Sequence, residues 1–202
     1  MDVCLLLRRQ RPMGIRDRCL EFSPTSSVPY FQDFESFPAA FGFTEELCWT
    51  GAAVDSYDWN LDDNGGTPSV GTGPNAAFSG TNYLYTEATG GTAGTSIATL
   101  TGPQFNLSGL TNPSVQFYYH MFGGQIGDLI LEVDDFSGSG WTAVNTISGA
   151  QQTAQGDAWL LQIVSLGAYA GQTVQIRFRA ISGGSFEGDI ALDDFSVGEL
   201  PA

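Results

Sequence analysis

Four stretches of the chain alternate apolar and polar residues with a period of two, and no run of helical periodicity with its caps reaches ten residues. Val115, Phe117 and Tyr119 share one face of residues 115–120. Leu129, Leu131 and Val133 share another, with Ile130, Glu132 and Asp134 opposite. Trp159, Leu161 and Ile163 continue the theme, and Val174, Ile176, Phe178 and Ala180 are set against Gln175, Arg177 and Arg179. Successive strand side chains point to opposite faces, so each run buries one face and wets the other. Turn-forming clusters such as Gly123-Gly124 and Ser137-Gly138-Ser139-Gly140 separate the runs. The pattern predicts an all-β domain made of two packed antiparallel sheets. The Gly- and Pro-rich stretch 62–80 reads as an ordered excursion from the sheets rather than a strand pair.

One segment breaks the alternation. In Gly188-Asp189-Ile190-Ala191-Leu192-Asp193-Asp194-Phe195-Ser196-Val197, Ile190 and Leu192 fall on one face, and Phe195 and Val197 resume one residue out of phase. Both pairs reach the core only if Asp193-Asp194 forms a bulge or bend. Carboxylates placed there need water, a hydrogen-bond donor or a cation.

Charge narrows the partners. Every basic residue is arginine, and five of the seven lie before residue 20. From Tyr30 onward two arginines face 19 acidic residues, a formal charge of −17. Such a body repels phosphate backbones and anionic lipid, which argues against nucleic-acid binding and membrane insertion. The first 29 residues differ in kind. The apolar run Val3-Cys4-Leu5-Leu6-Leu7 stops at Arg8-Arg9, short of a signal-peptide core, and residues 23–29 have linker composition. Residues 1–29 are therefore expected to be a disordered leader or linker before a β domain over 30–199. An export signal, if the gene product is longer, would lie outside this sequence.

Six segments then occur in a telling order: Phe31-Gln32-Asp33-Phe34-Glu35, Leu47-Cys48-Trp49-Thr50, Tyr57-Asp58-Trp59-Asn60, Tyr83-Leu84-Tyr85-Thr86-Glu87-Ala88, Phe117-Tyr118-Tyr119-His120-Met121-Phe122-Gly123 and Gly188-Asp189-Ile190-Ala191-Leu192-Asp193-Asp194-Phe195. The series resembles the MAM domain, named for meprin, A-5 protein and receptor phosphatase mu, over roughly residues 30–198. The resemblance implies a jelly-roll β-sandwich in extracellular, usually multidomain proteins, serving adhesion or subunit association without catalysis of its own. It also implies four cysteines in two disulfides, from which this chain departs. Gln32 stands at the first cysteine position, Val115 at the third, and no cysteine follows Asp194. Cys48 is therefore expected to be a buried free thiol, with a bridge to Cys4 or Cys19 as the alternative.

The carboxylates pose the sharpest question. On a strand, Asp33 and Glu35 share a face and repel unless something positive lies between them. Ca²⁺ accepts roughly six to eight carboxylate and carbonyl oxygens, and domains similar to this one often hold a structural cation between the two chain ends. Asp33, Glu35, Asp58, Asp193 and Asp194 are the candidate ligands of a structural Ca²⁺ or Na⁺. The competing reading is that Asp58 and Asp194 accept hydrogen bonds from turn N–H groups or from Trp59, with no metal.

Other residues carry less. His120 is the one histidine, which leaves no second for a His-based metal cluster or triad, and a hydrogen-bonding role beneath the Met121-Phe122-Gly123-Gly124 turn is expected. Glu132-Val133-Asp134 is similar to part of the Glu-x-Asp-x-x-Glu strand of jelly-roll glucanases, but Ser137 occupies the third acidic position, so the pair reads as a solvated strand end. Tyr118, Trp141 and Trp159 form either a sugar-stacking platform or part of the core. The expected function is a non-catalytic extracellular adhesion or protein-interaction module, a fragment of a larger secreted or cell-surface protein. The alternative is a carbohydrate-binding module attached to a secreted hydrolase or protease. The partner is accordingly an extracellular protein or a glycan. An exposed row of aromatics on one sheet face would favour sugar, and an apolar patch with a polar rim would favour protein.

Overall fold

A computed structural model describes residues 25–37, 45–52, 57–62 and 66–200. Residues 1–24 of the expected leader lie outside it. The described residues form thirteen strands: β1 (Thr25–Ser26), β2 (Tyr30–Gln32), β3 (Glu45–Glu46), β4 (Trp49–Gly51), β5 (Trp59–Asp62), β6 (Tyr83–Thr86), β7 (Ile97–Asn106), β8 (Pro113–His120), β9 (Asp128–Asp134), β10 (Thr142–Ser148), β11 (Leu160–Ser165), β12 (Thr173–Ile181) and β13 (Ala191–Glu199). One sheet runs β10-β9-β12-β7-β4-β3 with β1 joined to β7. The other runs β11-β8-β13-β6-β5 with β2 joined to β13. Every pairing is antiparallel except β1 with β7, which is parallel. The fold is the expected all-β sandwich of two sheets. Residues 25–29, expected to belong to a linker, instead contribute β1, and Val28 packs on the core.

The alternation places its apolar faces inward as read. Val115, Phe117, Leu129, Leu131, Val133, Val174, Ile176, Phe178 and Ala180 are all buried. The core between the sheets mixes aliphatic side chains with a cluster of rings, including the edge-to-face pairs Trp49–Phe195 at 4.9 Å and Phe117–Phe178 at 4.9 Å. Trp49 Nε1 donates to Tyr30 Oη at 3.0 Å, so the one polar atom of that ring is satisfied. The Trp49 ring lies 3.3 Å from where a Cβ on Gly102 would stand, and a side chain there would push on it.

β13 shows the phase slip. Its register with β8 shifts between Asp193 and Ser196, and Asp194 has φ 45°, which lets Ile190, Leu192, Phe195 and Val197 all reach the core. β11 departs from its expected face. Leu161 and Ile163 pair with Tyr118 and Gln116 on the outer side of the sheet, both are exposed, and Val164 is the buried residue of the strand. The run Leu160-Leu161-Gln162-Ile163-Val164 is apolar on both phases, so period two alone does not select its buried side.

Candidate functional site

The excursion after β5 covers part of the outer face of the β11-β8-β13-β6-β5 sheet, and side chains at the chain ends pin it there. Asp193 Oδ2 accepts the N–H groups of Phe78 and Ser79 at 2.9 and 3.2 Å, and its Oδ1 accepts Asp194 N at 2.8 Å. Ser79 Oγ donates to Asp194 Oδ1 at 2.9 Å. Glu35 Oε1 accepts Thr81 N and Asn82 N at 2.8 and 2.7 Å, and Oε2 accepts Thr81 Oγ1 at 3.1 Å. Gly80 sits against this carboxylate with φ 59°, and an added Cβ there would collide with the Glu35 side chain. Closer to the first residues of β13, Thr72 Oγ1 donates to Phe122 O and accepts Asp189 N.

Asp33 and Glu35 do not lie on a strand, contrary to expectation. β2 ends at Gln32, whose Oε1 accepts Phe34 N at 2.8 Å, while Asp33 Oδ1 accepts Glu35 N at 3.1 Å. These local bonds compete with ladder pairing and turn the chain, leaving Phe34 at φ 59° with its ring buried in the core. Burial pushes the Asp194 carboxyl up, and the charges of Asp33 and Glu35 add to the rise. Those three are therefore electrostatic neighbours. Glu35 moves the other way: burial opposes it, but the donors on Asn82 and Thr81 hold it below the usual carboxylate range. Asp193 is fully buried, with both oxygens taken by amides. Asp58 is exposed beside β5, at the other edge of the sheet. No group of three or more His, Cys, Asp or Glu among the described residues is arranged to hold a metal ion. Trp59 Nε1 is buried without a partner among the described residues, so it is not the donor that the metal-free reading considered.

Further along the same face, Phe78 stacks on Tyr118 with ring centroids 3.5 Å apart. Trp159 packs edge-on against Tyr83 and donates Nε1 to Ala76 O at 3.1 Å. Beneath it His120 is fully buried, and neither ring nitrogen has a partner at hydrogen-bond geometry. Burial lowers its pKa to about 4 against the pull of Asp157. His120 is a neutral ring packed 5.7 Å from Trp159, with Asp157 as its polar neighbour. Beyond the excursion the face stays open. One register row carries Phe31, Ser196, Gln116 and Ile163 across β2, β13, β8 and β11, and the next carries Asp193, Tyr118 and Leu161. Phe31 is 59% exposed and Leu161 45%.

The opposite face of the sandwich holds Glu132, which is not the solvated strand end expected. It is buried, with Arg177 Nε at 2.6 Å and Arg179 Nη2 at 2.8 Å. Burial works against its ionisation, and the two guanidinium groups still hold its pKa below the usual range. Arg177 lies over the Trp141 ring at 4.3 Å. Both carboxylate oxygens of Glu132 are taken by arginine donors. Tyr118 and Trp159 thus belong to one outer face and Trp141 to the other, so the three do not form a single platform. The signal for Glu132 was available: the two arginines of the body point to the side of their strand that faces Glu132.

Cys48 is disulfide-bonded, which corrects the free-thiol expectation. The chain's other cysteines, Cys4 and Cys19, lie outside the described residues.

A family model described as the MAM domain, meprin/A5/mu, matches residues 39–201. The chain belongs to the MAM domain family. It is 30% identical over 188 residues to MAM domain-containing glycosylphosphatidylinositol anchor protein 1 of Gallus gallus, covering 89% of this chain and 18% of that one. It is 28% identical to Neuropilin-1a of Danio rerio over 186 residues, covering 86% and 19%. This MAM chain spans about a fifth of the length of those relatives. Among solved structures, it is similar to the K1 cleaved adhesin domain of Lys-gingipain from Porphyromonas gingivalis W83, with a TM-score of 0.54, 17% identity, and coverage of 86% and 99%. A Stig cyclase from Fischerella sp. TAU is similar to the same degree, with a TM-score of 0.53, 15% identity, and coverage of 84% and 94%. An adhesin and a cyclase on one sandwich show a shared fold and leave function to the sites.

Proposed function

We propose that this MAM domain is a non-catalytic interaction module of an extracellular or cell-surface protein, and that it binds another protein through the open outer face of the β11-β8-β13-β6-β5 sheet. The observation that carries this reading is the state of the aromatic rings. A sugar platform needs a row of free ring faces, yet Tyr118 is covered by Phe78, Trp159 packs on Tyr83 and Trp141 lies under Arg177, so the exposed Phe31 is not continued by a row of free rings. What the face offers instead is Phe31, Leu161 and Ile163 beside Gln116 and Ser196, an apolar patch with polar neighbours. The names of the relatives, which include a glycosylphosphatidylinositol anchor protein, support an extracellular setting. Labelled chain applied to arrays of extracellular proteins and of glycans tests the reading. Binding on the protein array that Phe31→Asp abolishes, with the melting temperature kept, is the expected result. Binding confined to glycans contradicts it and favours a carbohydrate-binding module.

A structural cation is a second proposal, favoured by the mutual repulsion of Asp33, Glu35 and Asp194. The three carboxylates are not gathered around a cation site in this structure; to hold a Ca²⁺ or Na⁺ their side chains would close on the ion, with backbone carbonyls and water completing the shell, and the ion would neutralise charge that the turn now concentrates. Added Ca²⁺ would then raise the melting temperature, and Asp194→Ala would remove that response. A melting curve indifferent to Ca²⁺ and to chelator contradicts it.

A further inference from the structure

Four strands end the two sheet paths, and three of them carry features that discourage pairing with another chain. β10 has a register break between Ala143 and Asn145. β3 is two residues long and both are glutamate, and β5 is only four residues long. Short, charged or bulged edges are the usual protection against edge-to-edge association. β11 has none of them. It is six residues long, its register with β8 is unbroken, and Leu160-Leu161-Gln162-Ile163-Val164-Ser165 contains no charge and no proline. Leu160, Leu161 and Ile163 are all exposed, and β11 has no second neighbour among the described strands.

We propose that the free edge of β11 pairs antiparallel with β11 of a second copy of this chain, joining the two sheets into one continuous sheet across a two-fold axis. Charge and register choose this occupant. The chain carries a formal charge of −15, so two copies approach most easily where neither presents a carboxylate, and neither β11 nor the adjoining β8 contains Asp, Glu, Lys or Arg. In an antiparallel pair, residues directly opposite each other point to the same face, so the two-fold axis must pass through a residue facing its own counterpart. Centring it on Gln162 sets Leu161 against Ile163 of the second copy on the outer face, twice over. The same register sets Leu160 against Val164 of the second copy on the inner face, also twice. Every apolar side chain of the strand then meets an apolar one, and Asp157, just before the strand, faces the uncharged Gly167. Isologous closure of this kind consumes both free edges and leaves none to propagate. The proposal rests on reading the domain as an interaction module; Leu161 and Ile163 serve both contacts, so Phe31→Asp, outside β11, tests the outer-face partner and sedimentation tests the pairing.

Sedimentation of the full chain over a wide concentration range, with a Leu161→Lys/Ile163→Lys variant beside it, tests the pairing. The expected result is a rise from the 21.5 kDa of one chain to twice that mass, lost in the variant while its melting temperature is kept. Gln162→Cys gives a second readout, because opposed Cβ atoms at the axis lie about 4.5–5.5 Å apart. Mild oxidation should link two copies through residue 162, whereas Ser165→Cys, remote from its counterpart, should not link. A single-chain mass at every concentration, a dimer that survives both lysines, or equal linking at 162 and 165 overturns the proposal. So does a monomeric chain whose β11 is occupied only by a foreign protein from the array, a result that leaves the proposed function standing.

Discussion

Asp193 accepts the backbone N–H of Phe78 at 2.9 Å across 115 residues of sequence, and that contact ties the excursion after β5 to the closing strand. With Ser79 N and Asp194 N on the same carboxylate, one buried side chain satisfies three amides. Removing it leaves those donors unpaired, at roughly 1–3 kcal/mol for each group left dry. Asp193→Ala should therefore lower unfolding stability by about 2–4 kcal/mol in a urea titration. A change no larger than that of an exposed alanine substitution would show that water replaces the carboxylate freely.

Asp189 makes stability depend on pH. It is fully buried, and Oδ1 accepts Ala88 N at 3.0 Å. Burial raises its pKa to about 7 from 3.8. The folded state then holds a proton that the unfolded chain releases, so this group's stabilisation is full below the unfolded value and is lost as pH rises through about 7. Burial pushes Asp193 the same way. His120, lowered from 6.5 to about 4, contributes the opposite slope, with stability rising between those values. Asp189→Asn should remove the fall that Asp189 contributes between 3.8 and about 7, so that the rise from His120 in the same range becomes steeper. An unchanged profile would mean that Asp189 is ionised in the fold.

The Glu132 cluster gives a prediction on the other face. Both guanidinium groups are about a quarter exposed, so water offsets part of their loss when the carboxylate is removed. Glu132→Ala should cost about 1–3 kcal/mol, short of the full penalty for breaking a wholly buried pair. Arg177→Ala should also remove the Trp141 contact, which tryptophan fluorescence would report.

Cys48 predicts sensitivity to reductant. Reduction of its disulfide should lower stability by about 2–4 kcal/mol, and mass spectrometry without reductant should find Cys48 unlabelled by a thiol reagent even when unfolded.

Much of the sandwich was legible because alternation is a local signal. The phase slip at Asp193-Asp194 could be read from Ile190, Leu192, Phe195 and Val197 alone, and it is a bulge in the structure. The partners of these carboxylates were not legible, since Phe78 and Ser79 lie more than a hundred residues away and bind through backbone groups that any sequence supplies. Gln32 and Asp33 turned the chain through side-chain bonds to nearby N–H groups where a strand pattern was expected to continue. β11 hid its orientation by being apolar on both phases. Glu132 looked solvated because strand periodicity assigns a face without saying what else crosses it, and Arg177 and Arg179 do cross it.

Footprinting the chain while it is bound to a protein recovered from the array tests the central claim most directly. Protection at Phe31, Leu161 and Ile163 is predicted, with Trp141, Arg177 and Arg179 unchanged. Protection confined to the Trp141–Arg177–Arg179 face, with the outer side of β8 and β11 still reactive, would contradict it.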